Sequence, residues 1–220
     1  MQPTGRYYRI LRAIVKPFFF LRHVDSVSGL DTPCILLCRH RNMRGPFATI
    51  LHYADSASPW IYYPFCEKKT FFDQFYGYTL TTRLHWPKPL AYPAARLLSA
   101  LVPPLIRSFG GIPVYRKESN LRTTFRLSLN ALLSGRSIMI YPDIDYTSNN
   151  GIGNIYEGFF LLERLYFQKT KRHLPFVPVH LDTHAHTMQF DTPVIFGDGP
   201  YAEEKAAALE KILQAWRSRD

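Results

Sequence analysis

Acidic residues are scarce in this chain and missing from its start: Asp and Glu number 17 against 27 Lys and Arg, and no carboxylate occurs before Asp25. The formal charge of +10 makes an anionic partner the expectation, whether nucleic acid, a phospholipid surface or a phosphate-bearing small molecule. Cysteine is nearly absent too. Cys34, Cys38 and Cys66 are an odd set, and the first two lie four residues apart on one expected strand, too far along an extended backbone to bond each other. A disulfide framework is therefore excluded, and the chain reads as reduced and intracellular. No apolar run near the N-terminus reaches the roughly 20 residues of a spanning helix, because Lys16-Pro17 cuts it; the same break argues against a signal-peptide core. The glycine-rich SNNGIGN loop at 148–154 lacks the lysine and the spacing of a P-loop, so nucleotide binding is not expected. His180, Asp182, His184 and His186 alternate, but alternate residues of a strand stand roughly 7 Å apart, too spread for one strand to wrap a tetrahedral ion. No metal or redox cofactor is expected. The positive charge comes without a groove-reading or base-stacking motif, so nucleic acid is set aside as a partner.

What is present suits one α/β domain. The 220 residues can bury a full core, and 46% of them are apolar. Apolar runs bounded by turn residues predict strands near 34–39, 60–64, 112–115, 137–141, 175–181 and 192–196. Helical spacing predicts a core-facing helix over 119–134, stopped by Gly135, and a last helix over about 201–218 with Glu203 and Glu204 in its first turn and Arg217 near its end. This alternation implies a single domain with a central mixed or largely parallel sheet flanked by helices. Segment 83–110, rich in Leu and Ala but punctuated by Pro87, Pro89, Pro93, Pro103 and Pro104, predicts broken helices covering the core. Residues 1–24 form a basic-aromatic segment in which Arg6, Arg9, Arg12, Lys16 and Arg22 interleave with Tyr7, Tyr8, Ile14, Phe18 and Phe19. Such a segment matches an amphipathic helix at an anionic membrane interface, followed by the α/β domain at 25–220.

The best candidate for chemistry is His40. The apolar run PCILLC at 33–38 leads straight into Arg39-His40-Arg41-Asn42-Met43-Arg44-Gly45-Pro46, so one histidine is delivered at a strand end among three arginines. Three further blocks follow in order: FCEKKTFF at 65–72, GGIPVYRK at 110–117 and IMIYPDIDYTSNNGIGNIYEGF at 138–159, with LPFVPVHLD at 174–182 after them. Together, over about residues 7–196, these blocks resemble the motif regions of the glycerolipid acyltransferase family that includes lysophosphatidic acid acyltransferases.

That resemblance implies a glycerol-3-phosphate acyltransferase-like fold and an O-acyltransferase at the inner, cytoplasmic face of a membrane, acting in phospholipid biosynthesis. The donor it implies is an acyl thioester, on coenzyme A or acyl carrier protein; the acceptor is a lipid or phosphate-bearing hydroxyl compound such as a lysophospholipid. His40 falls on the family's catalytic histidine, a general base for the acceptor hydroxyl. Arg116, with Lys117, falls on the phosphate-associated arginine, and Arg39, Arg41 and Arg44 are suited to an acidic substrate or the phosphates of a carrier. The family's His-x4-Asp motif would place an aspartate at position 45, where this chain has Gly45. Asp143 falls on a family glutamate, and the residues at 144–147 replace its Gly-Thr-Arg-Ser. Asp143 and Asp145 lie just beyond a strand end, and one of them is expected to approach His40 and take over the missing acid. The alternative is a member that has lost the reaction and binds lipid or acyl carrier as an interaction protein.

Overall fold

Four consecutive residues with almost no solvent exposure, Ile35 to Cys38 at 0–1%, make strand β2 (Ile35–Cys38) and mark the middle of the fold. A strand apolar on every side chain must be covered on both faces, which is what a parallel α/β sheet provides. The computed structural model describes residues 4–19, 21–31, 33–41, 43–115, 118–144 and 154–219. Among them, β2 is joined by β1 (His23–Val24), β3 (Ala57–Tyr62), β4 (Ile112–Val114), β5 (Ser137–Ile140), β6 (Phe176–Asp182) and β7 (Thr187–Phe190) in one sheet of order β1-β7-β6-β2-β5-β3-β4. All neighbours run parallel except β6 and β7, which form an antiparallel hairpin.

Helices fill the two faces. Ile35, Leu37, Ile138 and Ile140 point into a core closed by Phe125 and Leu132 of α5 (Glu118–Leu133), Leu162 and Tyr166 of α6 (Leu161–Thr170), and Ile212 and Trp216 of α7 (Tyr201–Arg217). The alternate residues Cys34, Leu36, Cys38 and Met139 meet Tyr8 of α1 (Arg6–Val15), Ala48 and Tyr53 of α2 (Arg44–Tyr53), and Ile106 of α4 (Lys88–Ser108). Between β3 and α4 lie α3 (Lys68–Gln74) and a nine-residue π-helical stretch, Phe75–Arg83. Arg136 ties this second layer to the sheet, its guanidinium donating to the Ser58 hydroxyl (2.6 Å) and to the carbonyls of Ala54, Asp55, Ala57 and Phe109.

Two expectations need correction. Segment 192–196 is not a strand: Val194 makes a single antiparallel bridge with Phe176, because β7 already occupies the edge of β6 from Val179 to Asp182. Segment 83–110 is interrupted only at 84–87, since from Lys88 on α4 runs through Pro93, Pro103 and Pro104 as one helix of 21 residues. Its inward face carries the small residues Ala91, Ala95 and Ser99, which let that part lie close to the protein, and continues into the core through Pro103 and Ile106.

Candidate active site

The β2–β5 ladder pairs Leu37 with Ile140, and carrying that register three residues further along both chains brings His40 opposite Asp143. The side chains meet. His40 Nδ1 lies 2.6 Å from Asp143 Oδ1, and the His40 backbone N–H donates to Oδ2 at 2.8 Å. A carboxylate only accepts, so the imidazole carries its proton on Nδ1, leaving Nε2 as the basic nitrogen. Both carboxylate oxygens are engaged by one residue, which fixes the carboxylate against rotation. The segment holding Asp143 is itself pinned: Asp143 bridges Ile155, the Ile144 N–H donates to Asn154 O (3.1 Å), and the Tyr156 N–H donates to Pro142 O (2.7 Å).

The loop after β2 turns sharply. Arg41 (φ 40°) and Met43 (φ 70°) both adopt left-handed backbone, which costs a side-chain-bearing residue energy and is concentrated at functional sites. The Arg41 guanidinium is drawn back toward the sheet, donating to Leu181 O at 3.0 Å. Helix α2 starts against this turn: the Gly45 N–H donates to His40 O at 3.0 Å, and the Thr49 hydroxyl donates to Gly45 O at 2.8 Å. With the Thr49 proton so used, Tyr141 donates its own to Thr49 Oγ1 (2.8 Å), while its ring lies 5.5 Å from the imidazole, centre to centre.

Gly45 is forced by this packing. A Cβ at position 45 would overlap the Arg39 carbonyl oxygen and stand 2.9 Å from the Arg39 carbonyl carbon, so an aspartate there cannot coexist with this loop. The acid that touches His40 comes instead from the end of the neighbouring strand.

A small pocket opens beside the pair, lined by Cys38, Arg39, Arg41, Gly45, Thr49 and β6 residues 179–181. Burial pushes the Cys38 thiol far above its ordinary range, so it is a neutral wall and not a thiolate nucleophile. Arg44 opens α2 and is exposed. Arg116, Lys117 and Asp145 lie outside the described residues. Sequence reasoning missed Tyr141 and Thr49; Tyr141 directly precedes Pro142-Asp143, and Thr49 stands one helical turn after Gly45, but neither residue type signals a buttress on its own. His180, Asp182 and His184 do not converge: His180 Nε2 faces Asp191 Oδ2 (3.2 Å), and Asp182 accepts the His184 and Ala185 N–H groups in the hairpin turn. Among the described residues no three His, Cys, Asp or Glu side chains gather as a metal site would need.

No protein-family model matches the chain, and no curated protein matches it. A solved structure does: the 1-acyl-sn-glycerophosphate acyltransferase PlsC from Thermotoga maritima, with a TM-score of 0.53 and 12% sequence identity, over 97% of this chain and 80% of that one. The chain has the fold of that acyltransferase. At so low an identity the likeness is one of backbone architecture, so the chemistry of the site rests on its own geometry.

Proposed function

We propose that this protein is an O-acyltransferase in which His40 is the general base and Asp143 the acid that orients it. The observation that carries the reading is the 2.6 Å contact between His40 Nδ1 and Asp143 Oδ1 at the carboxyl edge of the sheet, the edge where α/β folds hold their ligands. The reading draws further support from the acyltransferase fold and from the pocket beside the pair.

In the proposed reaction His40 Nε2 takes the proton of an acceptor hydroxyl as that oxygen attacks the carbonyl carbon of an acyl thioester. A C–O bond forms, and the carbonyl π electrons move to oxygen. When they return, the C–S bond breaks, and the departing thiolate takes the proton from Nε2. Asp143 stays ionised throughout, holding Nδ1–H in place and stabilising the imidazolium that forms midway. Arg39 and Arg41 flank the pocket where the phosphates of coenzyme A, of a carrier arm or of a phosphorylated acceptor would lie. Arg44, Arg116 and Lys117 are proposed to add to the same attraction, with Asp145 in reserve as a second acid, and the acceptor is a lysophospholipid or similar hydroxyl lipid met at a membrane surface.

The decisive measurement is incubation of purified protein with acyl thioesters of several chain lengths and a panel of lysophospholipids, followed by mass spectrometry of the lipids. Transfer that disappears in His40→Ala supports the reading. Transfer that persists in His40→Ala refutes the role of this histidine, and lipid binding without any transfer would favour the interaction protein.

A further inference from the structure

Helix α4 is turned the wrong way round for water. Over its first three turns the buried stripe is made of small residues, Ala91 (0% exposed), Ala95 (0%) and Ser99 (2%), before Pro103 and Ile106 turn inward, while large apolar side chains face out, with Leu90 61% and Leu97 62% exposed. Leu101 and Tyr92 are exposed as well. A helix packed only against protein and water has the opposite arrangement. Helix α1 continues the same layer. It is bound to the end of α4 by the Gly5 N–H donating to Ser108 O (2.6 Å) and by the Tyr7 hydroxyl reaching Leu101 O (3.3 Å). Tyr7, Ile10 and Ile14 fall on one face of α1 by their spacing, and all three are exposed.

The charge on this layer has one sign. No Asp or Glu occurs between Asp73 and Glu118, nor before Asp25, so α1, the π-helical stretch and α4 contain only cationic charges. Arg6 and Arg9 on α1 and Lys88, Arg96 and Arg107 on α4 are exposed. Trp86 is 44% exposed just before α4 begins, where an indole would mark the boundary between headgroups and acyl chains.

We propose that the outer face of α4, extended by that of α1, is a monotopic docking surface that lies flat in the headgroup region of an anionic lipid bilayer. The helix is long enough to cross a membrane. It does not do so here, because α3, the π-helical stretch and α4 together form the crossover between β3 and β4, adjacent parallel strands of the sheet, and α4 cannot leave without dismantling their pairing. In-plane insertion uses both properties of the surface at once: the leucines enter the acyl boundary while the arginines and lysine reach lipid phosphates. The crossover leaves β3 at the carboxyl edge of the sheet, the edge that bears His40, and α4 returns to the opposite edge where β4 begins, so a docked α4 spans the height of the sheet with the His40 edge at one end. This inference deepens the proposed acyltransferase function and rests on it for the identity of the substrate, though not for the surface itself.

Trp86 supplies the assay, since Trp60 and Trp216 are buried at 8% and 1%. With phosphatidylcholine vesicles containing phosphatidylglycerol, the emission should shift to the blue and be quenched by brominated acyl chains, and the shift should vanish in Trp86→Phe while co-sedimentation persists. Leu97→Glu/Leu101→Glu should lower vesicle affinity by about tenfold or more with unchanged thermal melting, as both leucines are exposed. Lys88→Glu/Arg96→Glu should remove the preference for phosphatidylglycerol over pure phosphatidylcholine. Wild-type affinity in Leu97→Glu/Leu101→Glu would overturn the proposal, as would a dimer that this variant dissolves without loss of vesicle binding, which would make the face a protein interface. Two controls separate this inference from the catalytic one. His40→Ala should keep vesicle binding, and Leu97→Glu/Leu101→Glu should keep transfer to a detergent-dispersed acceptor. Absence of vesicle binding by the wild-type chain, with dispersed transfer intact, overturns the docking surface and leaves the reaction standing.

Discussion

An aspartate introduced at position 45, which would recreate the His-x4-Asp pattern, should damage this protein. The structure says why: the first atom of any side chain there meets the Arg39 carbonyl group and stands 3.2 Å from His40 O, all of it backbone that no rotamer change can clear. Relief requires tilting the first turn of α2 or displacing residues 39–41. Either movement strains the Gly45 N–H to His40 O bond (3.0 Å) and the Thr49 to Gly45 O bond (2.8 Å). Overpacking of this kind costs about 1–3 kcal/mol, and the two hydrogen bonds add about 1 kcal/mol each, giving a total of about 3–5 kcal/mol. For a chain of this length that corresponds to a fall in Tm of about 6–20 °C. Calorimetry or circular dichroism of Gly45→Asp and Gly45→Ala would measure it, with acyl transfer followed in parallel. Because the collision begins at Cβ, the alanine variant should show most of the loss, and neither should transfer faster than wild type. If Gly45→Asp melts with the wild-type protein and is more active, the packing argument is wrong; if only the aspartate is harmful, charge and not space is the cause.

Three further outcomes follow from the same geometry. Asp143→Asn keeps an oxygen for the His40 N–H but presents an amide N–H toward Nδ1, which favours the tautomer with the proton on Nε2 and removes the base; kcat should fall by about 10³–10⁴-fold with little change in Tm, and a drop of only a few-fold would dismiss Asp143 as the orienting acid. In native-state hydrogen exchange the His40 amide, held by Asp143, should be protected to a similar degree as the amides of β2, whereas exchange at the rate of an open loop would show that the pair forms only transiently. Asp25 and Asp182 are both held below the ordinary carboxylate range, Asp25 chiefly by the Phe190 N–H and Asp182 by the Ala185 and His184 N–H groups. A carboxylate depressed in the folded state contributes stability that is complete above its unfolded value near 3.8 and is lost as pH falls through the folded value. Melting temperature should therefore decline on acidification below about pH 4, and less steeply in Asp25→Asn/Asp182→Asn; parallel curves would assign the acid sensitivity elsewhere.

The parts of the fold that were legible in the sequence are those where pattern and burial agree. ILLC is uniformly apolar, and SIMI is apolar after Ser137, because both faces of β2 and β5 are covered, and the stripe of α7 closes on Ile212 and Trp216 as its spacing indicates. Short edge elements were not legible. TMQF is half polar because β7 lies near the sheet margin, while TPVIF has the composition of a strand but finds the edge of β6 already taken. Proline misled the reading of α4, since the usual penalty for an interior proline presumes a helix with nothing else to hold it. Here the inward face of α4 is fastened to the protein from Ala91 to Ile106. The meeting of His40 with a carboxylate from 143–145 could be anticipated from the order of the motifs; its hydrogen bonds to Asp143, and the steric demand for glycine at 45, could not, because both depend on strand register and on how α2 abuts the 39–41 turn.

That difference changes how the candidate site is built. An acid five residues after the histidine is a local device, set by one turn and the start of one helix. The acid that touches His40 here is 103 residues away along the chain and reaches the imidazole only because β5 lies beside β2 in one register. A slip of two residues between these strands would preserve every apolar side chain on its proper face, yet it would carry Asp143 past the imidazole by about 7 Å. The uniform burial of both strands cannot by itself prevent such a slip, so the register must be held by contacts at specific positions. The Cys34 N–H donating to Ser137 Oγ (3.1 Å) at one end of the ladder, and Asp143 bound to both the backbone and the ring of His40 at the other, are contacts of this kind. The His40–Asp143 pair is thus part of what aligns the sheet as well as the site that the alignment creates.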